Sequence, residues 1–267
     1  MSVLLNGVEK FNHRADAIES LLCVGLDSDI KRVPVAYWAD EHAQFAFNRA
    51  IIEQTHPYAA AYKLNMAFYE ARGEAGWRDV RSTVKYLREH HPSILTICDA
   101  KRGDIGSTSE AYARAIFDDL GFDAVTLSPY LGREALLPFI QRTDKASIIL
   151  CRTSNPGAGE FQDLIVENKP LYLHVAERVS REWNCNCMLV VGATYPDDMR
   201  QIRAAVGDMT FLVPGIGDQG GDVATTVKAG LNRDRKGLII NSSRSIIFAA
   251  DPAAAARDLC AEINRSR

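Results

Sequence analysis

Short apolar runs alternate along the chain with longer amphipathic stretches. The runs Leu21–Leu26, Ala61–Asn65, Ile94–Cys98, Ala124–Leu127, Ala146–Cys151, Met188–Gly192, Thr210–Val213 and Gly237–Ile240 read as short strands buried on both faces. Between them, Glu41–Gln54, Trp77–Glu89, Ser109–Asp119, Leu171–Trp183, Asp197–Ala205 and Val223–Ala229 carry helical spacing. Strict alternation of strand and helix implies a parallel sheet with right-handed crossovers. Eight such units fit a closed (β/α)8 TIM barrel of the α/β class better than an open doubly wound sheet. No low-complexity tract or Pro/Gly-rich linker divides the chain, so residues 1–267 are expected to form one domain. Residues 1–20 precede the first strand, and the helical spacing of Arg14–Leu22 predicts a helix closing the barrel bottom. The segment 153–169 is longer than an ordinary strand-to-helix connection and is a candidate active-site loop or lid.

Composition narrows the function classes. The chain has 267 residues, 47% hydrophobic and 24% charged, as a soluble globular protein does. Its net charge of −3 gives no electrostatic footprint for nucleic acid or an anionic membrane. The start, Met1 to Asn6, lacks the pattern of a secretory signal, and no apolar run approaches the ~18 residues that span a bilayer. Cys23, Cys98 and Cys151 sit inside apolar runs, which favours buried thiols in a reducing cytoplasm over disulfides. Cys185 and Cys187 form a lone C-x-C, and the histidines show no ligand spacing, so no metal is implied.

In a (β/α)8 barrel the chemistry lies at the C-terminal strand ends. The third run leads into Asp99-Ala100-Lys101-Arg102-Gly103-Asp104. Residues two apart in an extended chain share a side, which would send Asp99 and Lys101 out together, with Asp104 just beyond. Alone, this pattern also describes a surface ion-pair strand end. Strand 1 ends at Asp27, however, and strand 2 carries Lys63, which with Asp99, Lys101 and Asp104 gives an alternating set of two cations and two anions. Each lysine then has a carboxylate to keep it protonated, and a protonated lysine is a proton donor. Carboxylates crowded beside an anionic substrate group suit an enzyme that expels CO2.

Strand 7 runs into Pro214-Gly215-Ile216-Gly217-Asp218-Gln219-Gly220, and strand 8 ends at Asn241-Ser242-Ser243-Arg244. Glycines that admit an anion, a following helix start and an arginine suggest a phosphate site, which barrels often build after these two strands. The same glycines match G-x-G-x-x-G, but that fingerprint belongs to the first β-α unit of a dinucleotide-binding fold, not the seventh strand.

From Val24-Gly25-Leu26-Asp27 to Asn241-Ser242-Ser243-Arg244, through Asp99-Ala100-Lys101-Arg102-Gly103-Asp104-Ile105-Gly106 and Arg152-Thr153-Ser154-Asn155-Pro156-Gly157, the chain resembles the orotidine 5′-phosphate decarboxylases, in particular their longer bacterial subgroup. The resemblance implies cofactor-free decarboxylation of orotidine 5′-phosphate to UMP, the last step of de novo pyrimidine synthesis, in the cytoplasm. It implies that Lys63, Asp99, Lys101 and Asp104 form a charged tetrad in which Lys101 protonates C6. Asp27 and Lys63 would bind ribose hydroxyls, Ser154 the pyrimidine, and Gln219 and Arg244 the phosphate, with Pro214 lining the pocket. It also implies a homodimer in which Asp104, Ile105 and Thr108 reach into the partner's site. Related barrels with a D-x-K-x-x-D strand end bind Mg2+ and act on sugar phosphates, and a silent phospho-ligand sensor on the same fold is a further alternative.

Overall fold

The structure is a computed structural model that describes residues 5–183, 186–216 and 221–267. Eight parallel strands close into a barrel in chain order: β1 (Leu22–Gly25), β2 (Ala61–Asn65), β3 (Leu95–Arg102), β4 (Ala124–Leu127), β5 (Ala146–Arg152), β6 (Cys187–Val191), β7 (Phe211–Val213) and β8 (Leu238–Ser242). β8 returns to β1, pairing Asn241 with Cys23. Burial of almost every strand residue explains why the strands read as continuous apolar runs rather than alternating ones. The helical layer includes α1 (Gly7–Ala17), α2 (Ala43–Thr55), α3 (Gly73–His90), α4 (Gly106–Ala113), α5 (Arg133–Ile140), α6 (Leu171–Glu182), α7 (Pro196–Val206), α8 (Val223–Gly230) and α9 (Pro252–Ser266).

The N-terminal helix lies earlier than its spacing predicts. α1 begins at an Asn6–Glu9 capping box and ends at Ala17, so Arg14–Leu22 is not one helix. The chain leaves it through Glu19, at φ +51°. Ser20 Oγ then donates to Tyr58 O at 2.6 Å and accepts from Leu22 N, which commits Leu21 and Leu22 to the barrel. α1 packs at the strand starts: Lys10 Nζ pairs with Asp123 Oδ2 at 2.8 Å, and Phe11 is fully buried.

One further expectation is corrected, and one gains detail. The helix expected over Ser109–Asp119 is α-helical only to Ala113 and continues as a π turn, Arg114–Asp119. That turn presents Asp118 to Arg142 and Asp119 to Arg81. The stretch 153–169 is not a bare loop. It holds two short helices, Pro156–Ala158 and Gly159–Gln162, and pairs Ile165–Val166 antiparallel with Lys169–Pro170.

Candidate active site

A cavity of about 490 Å³ opens at the C-terminal ends of the strands. Asp27, Lys63, Asp99 and Lys101 meet in its wall, joined by Ser154, Pro214 and Arg244 from beyond the ends of β5, β7 and β8. The register brings the charges together. Gly25 pairs with Lys63 and Asn65 with Asp99, so the ends of β1, β2 and β3 lie side by side. Gly25 is required there, because any Cβ would collide with Ser243 Oγ.

β3 runs on through the charged residues instead of stopping before them. Its register to β4 shifts between Cys98 and Arg102, a bulge that re-aims side chains at a strand end. Lys101 sits inside the bulge at φ +49°, a left-handed conformation that costs a non-glycine residue about 1–2 kcal/mol. The Lys101 N–H is redirected to Thr126 Oγ1 at 2.9 Å, and its side chain is half-exposed to the cavity. Backbone strain of this kind persists where surrounding contacts impose it, as they do at functional sites.

Asp99 is the hub. Its Oδ1 accepts from Lys101 Nζ at 2.7 Å and from Thr126 Oγ1 at 3.0 Å, while Oδ2 accepts from Lys63 Nζ at 3.0 Å. Lys63 Nζ lies 3.4 Å from Asp27 Oδ1. Two lysines and two carboxylates thus balance in a site where Lys63 is 3% and Asp99 9% exposed. Burial alone would raise the Asp99 carboxyl, but the Lys63 and Lys101 ammoniums outweigh it and hold the group well below the usual carboxylate range. Burial works against the Lys63 ammonium, and Asp27 and Asp99 overcome it, pushing that pKa above its ordinary value. Behind the cluster, burial pushes the Cys23 thiol up to about 12, so it is no thiolate nucleophile at neutral pH.

Asp104 does not join the other three within one chain. Its Oδ1 accepts from the Ile105 N–H at 2.8 Å, and Ile105 and Thr108 face solvent outside the cavity wall. Arg244 opens a short helix, Arg244–Ile247, on the β8 side of the cavity, which Gly215, at φ +99°, also lines. Gln219 lies outside the described residues, as do Gly217 and Gly220 of the glycine-rich stretch.

Sequence reasoning missed Thr126 and Gln162, which also line the cavity. Thr126 is a polar residue inside the run Ala-Val-Thr-Leu, a signal that was available. Gln162 lies ten residues beyond the end of β5 and carried no local signal.

The family model for orotidine 5′-phosphate decarboxylase / HUMPS matches residues 20–259. The chain belongs to this family. It is 48% identical over 246 residues to the orotidine 5′-phosphate decarboxylase of Herpetosiphon aurantiacus, covering 91% of this chain and 90% of that one. It is 48% identical to the enzyme of that name from Roseiflexus castenholzii, over 95% and 94% of the two chains. Among solved structures, the OMP decarboxylase of Leishmania donovani superposes with a TM-score of 0.88 at 42% identity over 98% of both chains. The UMP synthase of the same organism superposes at 0.90 with 44% identity, and this chain spans 56% of that longer one.

Proposed function

We propose that this chain decarboxylates orotidine 5′-phosphate to UMP and CO2 with its own side chains, as a cytoplasmic homodimer. The observation that carries the reading is the Lys63–Asp99–Lys101 cluster in the wall of a cavity that Arg244 also lines, in a chain of this family. Arg244, with Gln219, binds the phosphate. Asp27 and Lys63 take the ribose hydroxyls, Ser154 contacts the base, and Pro214 lines the pocket.

Departure of CO2 leaves an electron pair at C6 of the pyrimidine. No ring position delocalises that pair, so the proton donor must already be in place. Lys101 fills that role: its Nζ is held 2.7 Å from Asp99 Oδ1 and delivers a proton to C6 as the carbon–carbon bond breaks. Asp99, beside the departing carboxylate, repels it and keeps Lys101 aimed. Phosphate binding at Arg244, remote from the reacting carbon, supplies energy to organise the charged cluster. A Mg2+-dependent sugar-phosphate reaction is disfavoured by the same geometry, because both oxygens of Asp99 are already engaged by ammonium groups.

A second copy completes the site. Asp104 lies outside its own cavity, and the neighbouring Ile105 is 60% exposed, with Tyr130 and Leu131 also exposed. That rim suits burial against another protomer, from which Asp104, Ile105 and Thr108 enter the partner's cavity.

The test is loss of the orotate absorbance when purified protein meets orotidine 5′-phosphate in the presence of EDTA. Rapid loss supports a decarboxylase, and no loss by folded, dimeric protein overturns it. Mixing inactive Lys101→Ala and Asp104→Ala chains examines the shared site. Recovery of part of the native activity is expected, and none would remove Asp104 from the partner's cavity.

A further inference from the structure

A second charged cluster holds the segment between β5 and α6, and the chemistry above gives it no role. Arg152, the last residue of β5, is buried at 3% exposure and does not line the cavity. One edge of its guanidinium is fixed to the helical layer. Nε donates to Asp198 Oδ2 at 2.8 Å, in the first turn of α7, and the group lies over the Tyr195 ring, 3.9 Å from its centroid. The other edge reaches the inserted segment. Nη2 lies 3.2 Å from Asp163 Oδ1, and Nη1 is 3.5 Å from Gln162 Oε1.

Gln162 passes this restraint into the cavity. Its Oε1 accepts from Thr153 N at 2.9 Å, and its Nε2 donates to Thr153 Oγ1 at 2.9 Å. Thr153 Oγ1 donates in turn to Asn155 Oδ1 at 2.7 Å. Ser154, between them, is pressed from behind by Gly192, where a Cβ would stand 2.7 Å from the Ser154 Cβ. Thr153, Ser154, Asn155 and Gln162 form one wall of the cavity. Arg244, which marks the phosphate side, follows β8, a strand separated from β5 by β6 and β7.

We propose that Arg152 is a positioning residue for base recognition, a buried two-sided latch that ties Gln162 and Asp163 to Asp198 and thereby sets the Thr153–Asn155 wall against the pyrimidine. The fork of a guanidinium and its stacking on Tyr195 explain why arginine occupies the position: a lysine ammonium offers neither. The inference rests on the nucleotide reading above. It assigns Arg152 no contact with substrate.

The experiment compares native protein, Arg152→Lys and Asp163→Asn in turnover of orotidine 5′-phosphate, and in calorimetric binding of UMP and of ribose 5-phosphate. Native turnover tests the functional reading by itself, and the ligand split in the variants tests the latch. A displaced wall costs Arg152→Lys about a hundredfold in kcat/KM and about tenfold in UMP affinity, while ribose 5-phosphate binds as to native protein. Equal losses for both ligands would reduce Arg152 to a general structural role, and unchanged UMP affinity would remove the latch. If Arg152→Lys does not fold, Asp163→Asn decides, because its side chain is half-exposed. A loss confined to UMP supports the latch, and parallel or absent losses overturn it.

Discussion

Two buried polar clusters lie within a few residues of each other on the β1–β2–β3 side of the barrel. One joins Asp27, Lys63, Asp99 and Lys101. The other lies behind the β1 end and joins Ser28, Gln44, Asn48, Tyr69, Asp79 and Thr83, all fully buried. In the second, no member lines the cavity, and Asp79 reaches part-exposed partners, Arg72 and His42. Asn48 Nδ2 donates to Tyr69 OH at 2.9 Å and Thr83 Oγ1 at 3.0 Å, and Ser28 Oγ bonds Asn48 Oδ1. Tyr69 OH donates to Leu26 O at 2.8 Å and Gln44 Nε2 to Ser28 O at 2.6 Å, with Asp79 taking Arg72 and the Gln44 N–H. The first cluster is charged, strained at Lys101 and open to a cavity through a half-exposed ammonium. Burial of polar groups therefore does not distinguish function from structure here. What distinguishes it is a donor left facing a cavity in a conformation the chain would not otherwise adopt.

If that distinction holds, substitutions in the open cluster change rate far more than stability. Lys101→Ala is the largest effect. It removes the proposed proton donor but keeps the Cβ and so the left-handed strain, and kcat falls by about a thousandfold or more while the Tm stays within a few degrees of native. Retained turnover would take the proton-donor role from Lys101. Arg244→Ala follows, on the phosphate side of the cavity. It touches no reacting atom, yet kcat/KM for orotidine 5′-phosphate should fall by about a hundredfold or more, since remote binding energy organises the reacting groups. An unchanged kcat/KM would take the phosphate role from Arg244.

Asp99→Asn blurs the two categories, because the hub serves both chemistry and cohesion. It leaves Lys63 buried against Asp27 alone, and removing one partner of a buried pair costs about 3–5 kcal/mol. The pH dependence follows from the shifts. The folded carboxyl lies below its ordinary 3.8, so its contribution is present above the unfolded value and lost as pH falls through the folded one. The stability gap between native protein and Asp99→Asn should be constant between about pH 5 and 8 and close as pH drops below 3.8. Lys63, raised above its ordinary 10.5, contributes fully below that value and loses its contribution only as pH climbs past it. Denaturant unfolding of the two proteins across pH measures this. A gap that widens in acid would contradict the ion-pair account.

The open cluster was legible in the sequence because a strand end writes its chemistry into adjacent letters. Asp99 and Lys101 follow an apolar run, and Asp27, Lys63 and Arg244 occupy corresponding ends of other runs. The barrel was legible for the same reason, since its period is local. What escaped depends on contacts between distant residues. The helix expected over Arg14–Leu22 failed because Ser20 bonds Tyr58, 38 positions away. The β3 bulge was invisible because Thr126 on β4 imposes it. Gln162 faces the cavity because Arg152 and Thr153 hold it there, which no spacing encodes.

The closed cluster supplies the smallest effect and the sharpest control. Its members lie at positions 28, 44, 48, 69, 79 and 83, and no motif joins them. Asn48→Ala deletes the central amide, taking the Asn48 Oδ1 partner from Ser28 Oγ and one of two bonds from Tyr69 OH, at about 1–3 kcal/mol for an unmet buried group, with a lowered Tm. Tyr69 still anchors Leu26 O, and Gln44 still anchors Ser28 O, so Asp27 keeps its place from both sides. kcat at saturating substrate should consequently stay within about threefold of native, the reverse of the Lys101→Ala pattern. A kcat loss comparable to that of Lys101→Ala would show that the closed network aims Asp27 as part of the reaction. The line between an inward-satisfied cluster and a working one would then have to be drawn at the cavity wall rather than by hydrogen-bond closure.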